Sequence, residues 1–357
     1  MKTAIIGAGK TGRGFLARLL QEAGQEILLI DKDEALVLQL NEAKSFQVHF
    51  FGNVREPFTV SNYQAVTWED ADFSDVELIL VSVGGTNLPD VGAELKKRLD
   101  STRPYYIITC ENASKPADKL SAAIGLEQVH VSESTVFCTT IERNGLHINS
   151  ENYPYLQFDA DRLSGYTPAA STLTPIQGFG NFLTRKLFTY NAASCIIAYL
   201  GWLYGYTDYG EAANDPRILE LLDRNYAITN KVLCAEFGYD PKDQAEFAAL
   251  SRAKFCSRAI VDTVARNARE PQRKLGANER VIGPMLVIHR HGEDTSVLEM
   301  TAAAMLLYDA EGEDAWRAIR REHTPQQILE IYCGLAADHP LTARILDQYQ
   351  QLSEKLK

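Results

Sequence analysis

The stretch Thr3-Ala-Ile-Ile-Gly-Ala-Gly-Lys-Thr-Gly-Arg-Gly-Phe15 constrains the fold more than any other part of the chain. A short apolar run, Thr3–Ile6, ends at glycines spaced Gly7-x-Gly9-x-x-Gly12. Residues Arg13–Ala23 then place Phe15, Leu16, Leu19 and Leu20 on one side of a helix. A strand entering a helix through such a turn uses each glycine differently. Gly7 permits the tight turn, Gly9 lets a pyrophosphate approach the backbone, and Gly12 lets helix and strand pack closely. The helix N-terminus offers phosphates unpaired amides and a partial positive charge. Gly9-Lys10-Thr11 also resembles the tail of a triphosphate-binding loop, G-x-x-x-x-G-K-[ST]. That loop needs its first glycine at position 4, which is Ala4, so the triphosphate reading fails on a required residue.

The next apolar run, Glu26–Ile30, ends at Asp31, 19 residues after Gly12. An acid there accepts from ribose hydroxyls and repels a 2′-phosphate, which favours NAD over NADP; Lys32 beside it weakens that preference. Leu78–Val83, Tyr105–Thr109 and Val129–Val136 read as three further buried strands. Strands alternating with helices predict an α/β, Rossmann-type, doubly wound parallel sheet. Its carboxyl edge is where ligands bind. The expected cofactor contacts are therefore Gly7, Gly9, Lys10, Thr11, Gly12, Asp31 and Lys32. Val83 and Gly84 join them at the end of the third strand, and Asn112 after the fourth. Gln47–Phe51 and Phe58–Val60 predict a small antiparallel insertion.

From about Pro175 the apolar spacing changes to three and four residues, over segments 178–204, 215–236, 242–268, 295–308, 312–321, 325–335 and 340–356. Two domains follow: a cofactor-binding domain over 1–178 and an all-α substrate domain over 179–357. The 357 residues are ample for two cores. A net charge of −11 gives no help toward nucleic acid, yet leaves room for a local basic pocket and a small anionic substrate. Six scattered cysteines lack metal spacing. They read as thiols in a reducing, cytoplasmic setting, and no metal site is expected. No run is long enough to span a membrane, and no secretory signal is visible.

The second domain opens with GFGNFLTRKLFTYNAASCIIAYLGWLYG, in which Lys186, Asn191 and Ser194 interrupt an apolar helix. At ~100° per residue they fall within an arc of roughly 140°, so they can face one cavity. A lysine near a helix N-terminus opposes the dipole, and is either well solvated or held there for a purpose. Arg273, Lys274 and Arg280, in RKLGANER, form a basic cluster that fits a substrate phosphate or carboxylate, or else salt-bridged helix ends.

Nearly end to end, the chain resembles the long-chain mannitol dehydrogenase family, and its mannitol-1-phosphate dehydrogenases in particular. The resemblance rests on GAGKTGRGF, SFQVHFFG, LILVSVGG, the CEN at 110–112, RKLFTYN at 185–191 with AYLG at 198–201, and RKLGANERVIGP at 273–284. It implies metal-independent hydride transfer between a polyol, or its phosphate or acid, and the keto sugar, with a nicotinamide cofactor. It further implies a monomer or homodimer, Lys186 as general base, and Asn112 and Asn191 as donors to the developing alkoxide.

Two positions depart from the family pattern. Its active-site histidine falls on Ser194, which cannot carry charge near neutral pH. A family Asp-Arg pair falls on Phe137-Cys138, which predicts a less polar pocket. His289 and His291 are candidates to replace the lost histidine. The departures also leave a second reading, a catalytically degenerate NAD(H)-binding homologue that acts as a sensor or regulator.

Overall fold

The structure, a computed structural model, describes residues 2–355. Its strands in chain order are β1 (Lys2–Ile6), β2 (Ile27–Ile30), β3 (Phe46–Phe50), β4 (Phe58–Val60), β5 (Tyr63–Val66) and β6 (Val76–Val81). There follow β7 (Tyr105–Thr109), β8 (Val129–Thr135), β9 (Thr140–Asn144), β10 (His147–Ser150), β11 (Leu156–Asp159) and β12 (Leu173–Ile176). Contacts divide the chain into two compact units that meet between Gly180 and Asn181.

In the first unit eight strands form one sheet in the order β12-β11-β8-β7-β6-β1-β2-β5. Every pairing is parallel except that of β11 with β8. Alternation along the strands separates two cores, as a sheet covered on both faces requires. Ala4, Ile6, Leu28, Ile79 and Val81 pack under helices Leu88–Arg98 and Pro116–Ile124. Ile5, Leu29, Leu78 and Leu80 pack under Phe15, Leu16 and Leu19 of the helix that follows the glycines.

The antiparallel pairing expected of 47–51 with 58–60 is present as β3 with β4. It is one half of a four-stranded sheet, β4-β3-β10-β9, in which β10 runs parallel to β3. β9 is mostly exposed and carries no apolar alternation, which is why its sequence does not announce a strand. This sheet packs on the glycine-loop helix and explains the fourth glycine of the opening stretch. A Cβ on Gly14 would stand 2.3 Å from the Ile148 side chain.

Among the described residues of the second unit the elements are helices, as expected, with a single isolated antiparallel bridge between Asp208 and Thr263. Helix Ala192–Leu203 is buried from Cys195 to Gly201 on all sides, and Ser296–Leu307 is buried almost throughout, as core helices of an all-α unit must be. Gly201 lets helix Tyr209–Ala213 approach until a Cβ would lie 2.7 Å from that of Ala212. Two details differ from expectation. The helix predicted over 242–268 ends at Cys256, because Ser257 takes an extended conformation, and only the short turn Val264–Asn267 follows. Ile282–Arg290, which lies outside the segments expected to be helical, is a helix. No helix among the described residues is long and apolar enough to cross a membrane.

Candidate active site

The first unit carries a cavity of about 250 Å³ at the carboxyl edge of β1, β2 and β6. Gly7, Gly9, Asp31, Lys32, Ser82 and Val83 line one part of it; Trp68, Asn87, Asp90 and Glu94 line another. Gly7 adopts φ +96°, and a Cβ there would stand 2.1 Å from the Ser82 carbonyl oxygen. A Cβ on Gly12 would stand 1.9 Å from the Gly7 carbonyl oxygen. Gly9 is the opposite case, with nothing within 4 Å of where its Cβ would lie. Two glycines thus close the turn and the third leaves its backbone open, which fits a dinucleotide pyrophosphate. The helix behind them is π-helical over Gly12–Ala17, a geometry often found at functional sites.

Asp31 braces this loop as well as facing the cavity. One carboxylate oxygen accepts from Ala8 N at 2.7 Å, the other from Asp33 N at 3.0 Å. Each oxygen keeps a lone pair for a ribose hydroxyl. Three carboxylates, Asp31, Asp90 and Glu94, face the cavity against the single base Lys32. Lys10 is exposed, and Thr11 Oγ1 lies 3.4 Å from Thr140 Oγ1. Gly84 and Asn112 are exposed at the same sheet edge, after β6 and β7. Trp68 belongs to no motif and could not be found by reading; Arg98 holds it, with Nε donating to its carbonyl at 2.8 Å.

In the second unit Lys186 ends the helical segment Phe179–Lys186, and Leu187–Asn191 continues it as a π turn. Lys186 therefore stands well inside a continuous helix, and the helix N-terminus is not what perturbs it. The π turn also changes the face arithmetic. It closes i→i+5 rings, with Ala192 N donating to Leu187 O, so residues five apart come nearly into line. Lys186 and Asn191 therefore share a face more closely than α-helical spacing predicts, and Ser194 follows one α-turn later.

Burial first, and then the charges of Lys254 and Arg280, together lower the Lys186 ammonium to a pKa of about 8. Both neighbours are placed by packing. Helix Pro241–Cys256, which carries Lys254, stacks Phe247 edge-on against Tyr190 with ring centroids 5.0 Å apart. Arg280 precedes helix Ile282–Arg290, whose Gly283 sits so close to Phe188 that a Cβ would lie 2.9 Å from the ring. Arg185, next to Lys186 in sequence, has a different task. Its guanidinium is buried and bonded to Asp243 at 2.8 Å and to Gln244 at 2.6 Å.

The predicted basic cluster separates in the same way. Arg273 pairs with Glu270 at 2.8 Å, and buried Lys274 donates to the Asn267 carbonyl at 2.6 Å. Arg280, half-buried and bonded to Glu279 through Nε at 3.0 Å, is the member whose charge reaches Lys186. Ser194 Oγ accepts from the Tyr209 hydroxyl at 3.3 Å; burial raises the pKa of that phenol well above its usual value.

His289 and His291 are not brought to Lys186 by any described contact. His289 meets Arg344 at 3.1 Å, and His291 meets Glu236 at 2.8 Å. Phe137 and Cys138 are buried in the first unit, Phe137 stacking on Tyr153 and Cys138 lying 3.1 Å from Ser150 Oγ. No cluster of His, Cys, Asp and Glu suited to a metal occurs among the described residues.

Residues 1–141 match the mannitol dehydrogenase Rossmann domain, and residues 179–353 match the mannitol dehydrogenase C-terminal domain. This chain belongs to the mannitol dehydrogenase family. Its relatives include the mannitol-1-phosphate 5-dehydrogenases of Brevibacillus brevis and Oceanobacillus iheyensis. Each is 28% identical; the alignments cover 98% and 99% of this chain and 97% and 100% of those proteins. Among solved structures, Pseudomonas fluorescens mannitol 2-dehydrogenase, in a ternary complex with NAD and D-mannitol, superimposes with a TM-score of 0.69 at 13% identity. That match covers 99% of this chain and 92% of the other. A substrate-free D-sorbitol dehydrogenase gives 0.74 at 12% identity, over 99% and 93%. At these identities the structural matches establish a shared fold. The family's two domains in the same order account for both units, and its Rossmann domain for the glycine-lined cavity.

Proposed function

We propose that this member of the mannitol dehydrogenase family is an NAD-dependent dehydrogenase of a polyol or polyol phosphate, with Lys186 as its general base. The observation that carries the proposal is the enclosure of Lys186 beside the cations Lys254 and Arg280, which lowers its pKa to about 8. An ordinary lysine is protonated near neutrality and cannot accept a proton. One held near 8 is partly neutral there, as a general base must be. When bound, the nicotinamide supplies the acceptor for hydride from the carbinol carbon. Lys186 Nζ takes the hydroxyl proton as that hydride leaves, so a secondary alcohol becomes a ketone. Asn112 and Asn191 donate amide hydrogens to the oxygen on which negative charge develops. Ser194, its hydroxyl bonded by Tyr209, donates to a substrate hydroxyl in place of the family histidine.

NAD is preferred over NADP because Asp31, Asp90 and Glu94 face the cavity in which a 2′-phosphate would have to sit. Arg280 is the cation offered to an anionic group on the substrate; Arg273 and Lys274 hold the segment that presents it. The Brevibacillus and Oceanobacillus relatives are named for a phosphorylated polyol, which agrees with a cation beside the base. The chain works in the cytoplasm, consistent with six cysteines that form no disulfide. Nothing in the relatives favours the sensor reading.

The test is formation of NADH from NAD⁺ with a panel of polyols and polyol phosphates, in wild type and Lys186→Met. Turnover of a polyol or its phosphate that the variant loses supports the assignment. Equal rates in both proteins remove Lys186 from the mechanism.

A further inference from the structure

Glu111, in the Cys-Glu-Asn stretch after β7, has no part in the chemistry above, yet it is placed with care. Cys110 N donates to Val81 O at 2.7 Å, so the chain leaves β7 still in register with β6. Glu111 then reaches across to the turn after β6. Its Oε1 accepts from Val83 N at 2.6 Å and from Gly84 N at 2.9 Å. Asn87 Nδ2 holds the Val83 carbonyl at 2.6 Å from the other side. The two turns touch: a Cβ on Gly85 would lie 2.6 Å from that of Ala113. Asn112, between Glu111 and Ala113, is thereby fixed to the turn that lines the cofactor cavity at Val83.

Two backbone amides at the carboxyl edge of the sheet are therefore already satisfied by a side chain. A neutral acceptor such as Asn, Gln or Ser would serve for that. A carboxylate adds a negative charge at the edge across which a dinucleotide lies. Two amides donating to one oxygen favour its ionised form, while burial opposes it and raises its pKa. The adenosine-side features, Asp31 and the glycine turn, are on the β1–β2 side of the cavity. A dinucleotide bound there would extend from that side along the carboxyl edge toward β7, where Glu111 and Asn112 stand. The oxidised nicotinamide carries a positive charge that the reduced ring lacks. A fixed carboxylate near it lowers the free energy of the oxidised form alone.

We propose that Glu111 is a positioning residue with a second, electrostatic role: it locks the Asn112 turn to the Val83–Gly84 turn and weights the cofactor site toward NAD⁺ over NADH. This rests on the reading that the cavity holds NAD. Glu111→Gln separates the two roles, because the amide keeps an acceptor oxygen for Val83 N and Gly84 N and loses the charge. Dissociation constants for NAD⁺ and NADH are measured separately by calorimetry, without substrate. Hydrogen exchange at the Val83 and Gly84 amides reports the lock.

Glu111→Gln is expected to raise the ratio of the NAD⁺ constant to the NADH constant by about fivefold, with amide protection retained. Glu111→Ala is expected to lose that protection as well. An unchanged ratio in Glu111→Gln, with protection retained, overturns the electrostatic role. Protection retained in Glu111→Ala overturns the positioning role, and if that variant does not fold, protection retained in Glu111→Met, which fills the space but offers no acceptor oxygen, does so instead. Failure of wild type to bind either form of the cofactor overturns the underlying reading, and the proposal with it.

Discussion

The two functional regions of this chain are built in opposite ways, although both rest on a helix that widens into a π segment. At the glycine loop, function depends on side chains that are absent. Gly7 and Gly12 stand where a Cβ would meet backbone oxygen at 2.1 and 1.9 Å, and Gly9 leaves open space. At Lys186, the proposed function depends on a side chain whose chemistry its surroundings have changed. The first kind of site is recorded in local spacing. The second depends on what distant segments bring up to it, here Lys254 from one helix and Arg280 from the start of another.

Substitutions can break this contrast or sharpen it. The largest effect is expected at Gly7, where Ala meets both the Ser82 carbonyl and an unfavourable φ of +96°. Gly7→Ala should lower the melting temperature sharply and abolish cofactor binding. Gly9→Ala should leave the melting temperature unchanged, yet weaken NADH more than about tenfold, since the methyl group fills the space that phosphates need. Calorimetry with and without NADH checks both; equal melting shifts in the two variants would break the distinction.

Next in size is the division of labour between Arg185 and Lys186. Arg185→Ala leaves the buried Gln244 oxygen without its donor, while the exposed Asp243 loses little, and should cost about 2 kcal/mol of stability in a denaturant titration. Lys186→Met should cost less stability than Arg185→Ala, because a desolvated ammonium is replaced by an apolar side chain.

Smaller again is the effect of Asp31→Asn. The amide keeps an acceptor for Ala8 N but loses the charge, so the preference for NAD over NADP should fall by about tenfold, or ~1.4 kcal/mol. Asp90 and Glu94 should prevent outright reversal. The ratio of kcat/KM for the two cofactors measures it. Smallest is Lys254→Met. Removing one of the two cations that repel Lys186 should move its titration upward by a fraction of a unit, visible as a displaced inflection in the pH–rate profile.

The contrast also explains what could be read from the chain alone. β1, the glycine turn, β2 and Asp31 form one local unit, and the structure keeps them as read. The split into a parallel sheet and a helical half is legible because the apolar period changes near residue 175. β9 and the helix Ile282–Arg290 are not legible; the first is exposed on both faces, and the second starts after a segment dense in charge. Lys186, Asn191 and Ser194 stand out as polar interruptions of an apolar helix, but their mutual geometry depends on a π turn that no local pattern marks. Nothing in RKLFTYN says which of Arg185 and Lys186 is structural. That depends on Asp243 and Gln244, more than fifty residues away. Trp68 and Lys254 belong to no motif, and Glu111 lies within one whose neighbouring asparagine attracts the attention.

The central claim is that Lys186 is the base, and that its surroundings hold it near a pKa of about 8. A base must be neutral to accept a proton, so alcohol oxidation should rise as pH increases through that value. Reduction of the ketone, which needs the protonated lysine, should fall over the same range. The direct measurement is kcat/KM for NAD⁺-dependent oxidation against pH, in wild type and Lys186→Met. The account predicts a wild-type inflection near pH 8, and in the variant a rate about 10²–10⁴-fold lower with that inflection gone. A variant that keeps the inflection, or the wild-type rate, would contradict it.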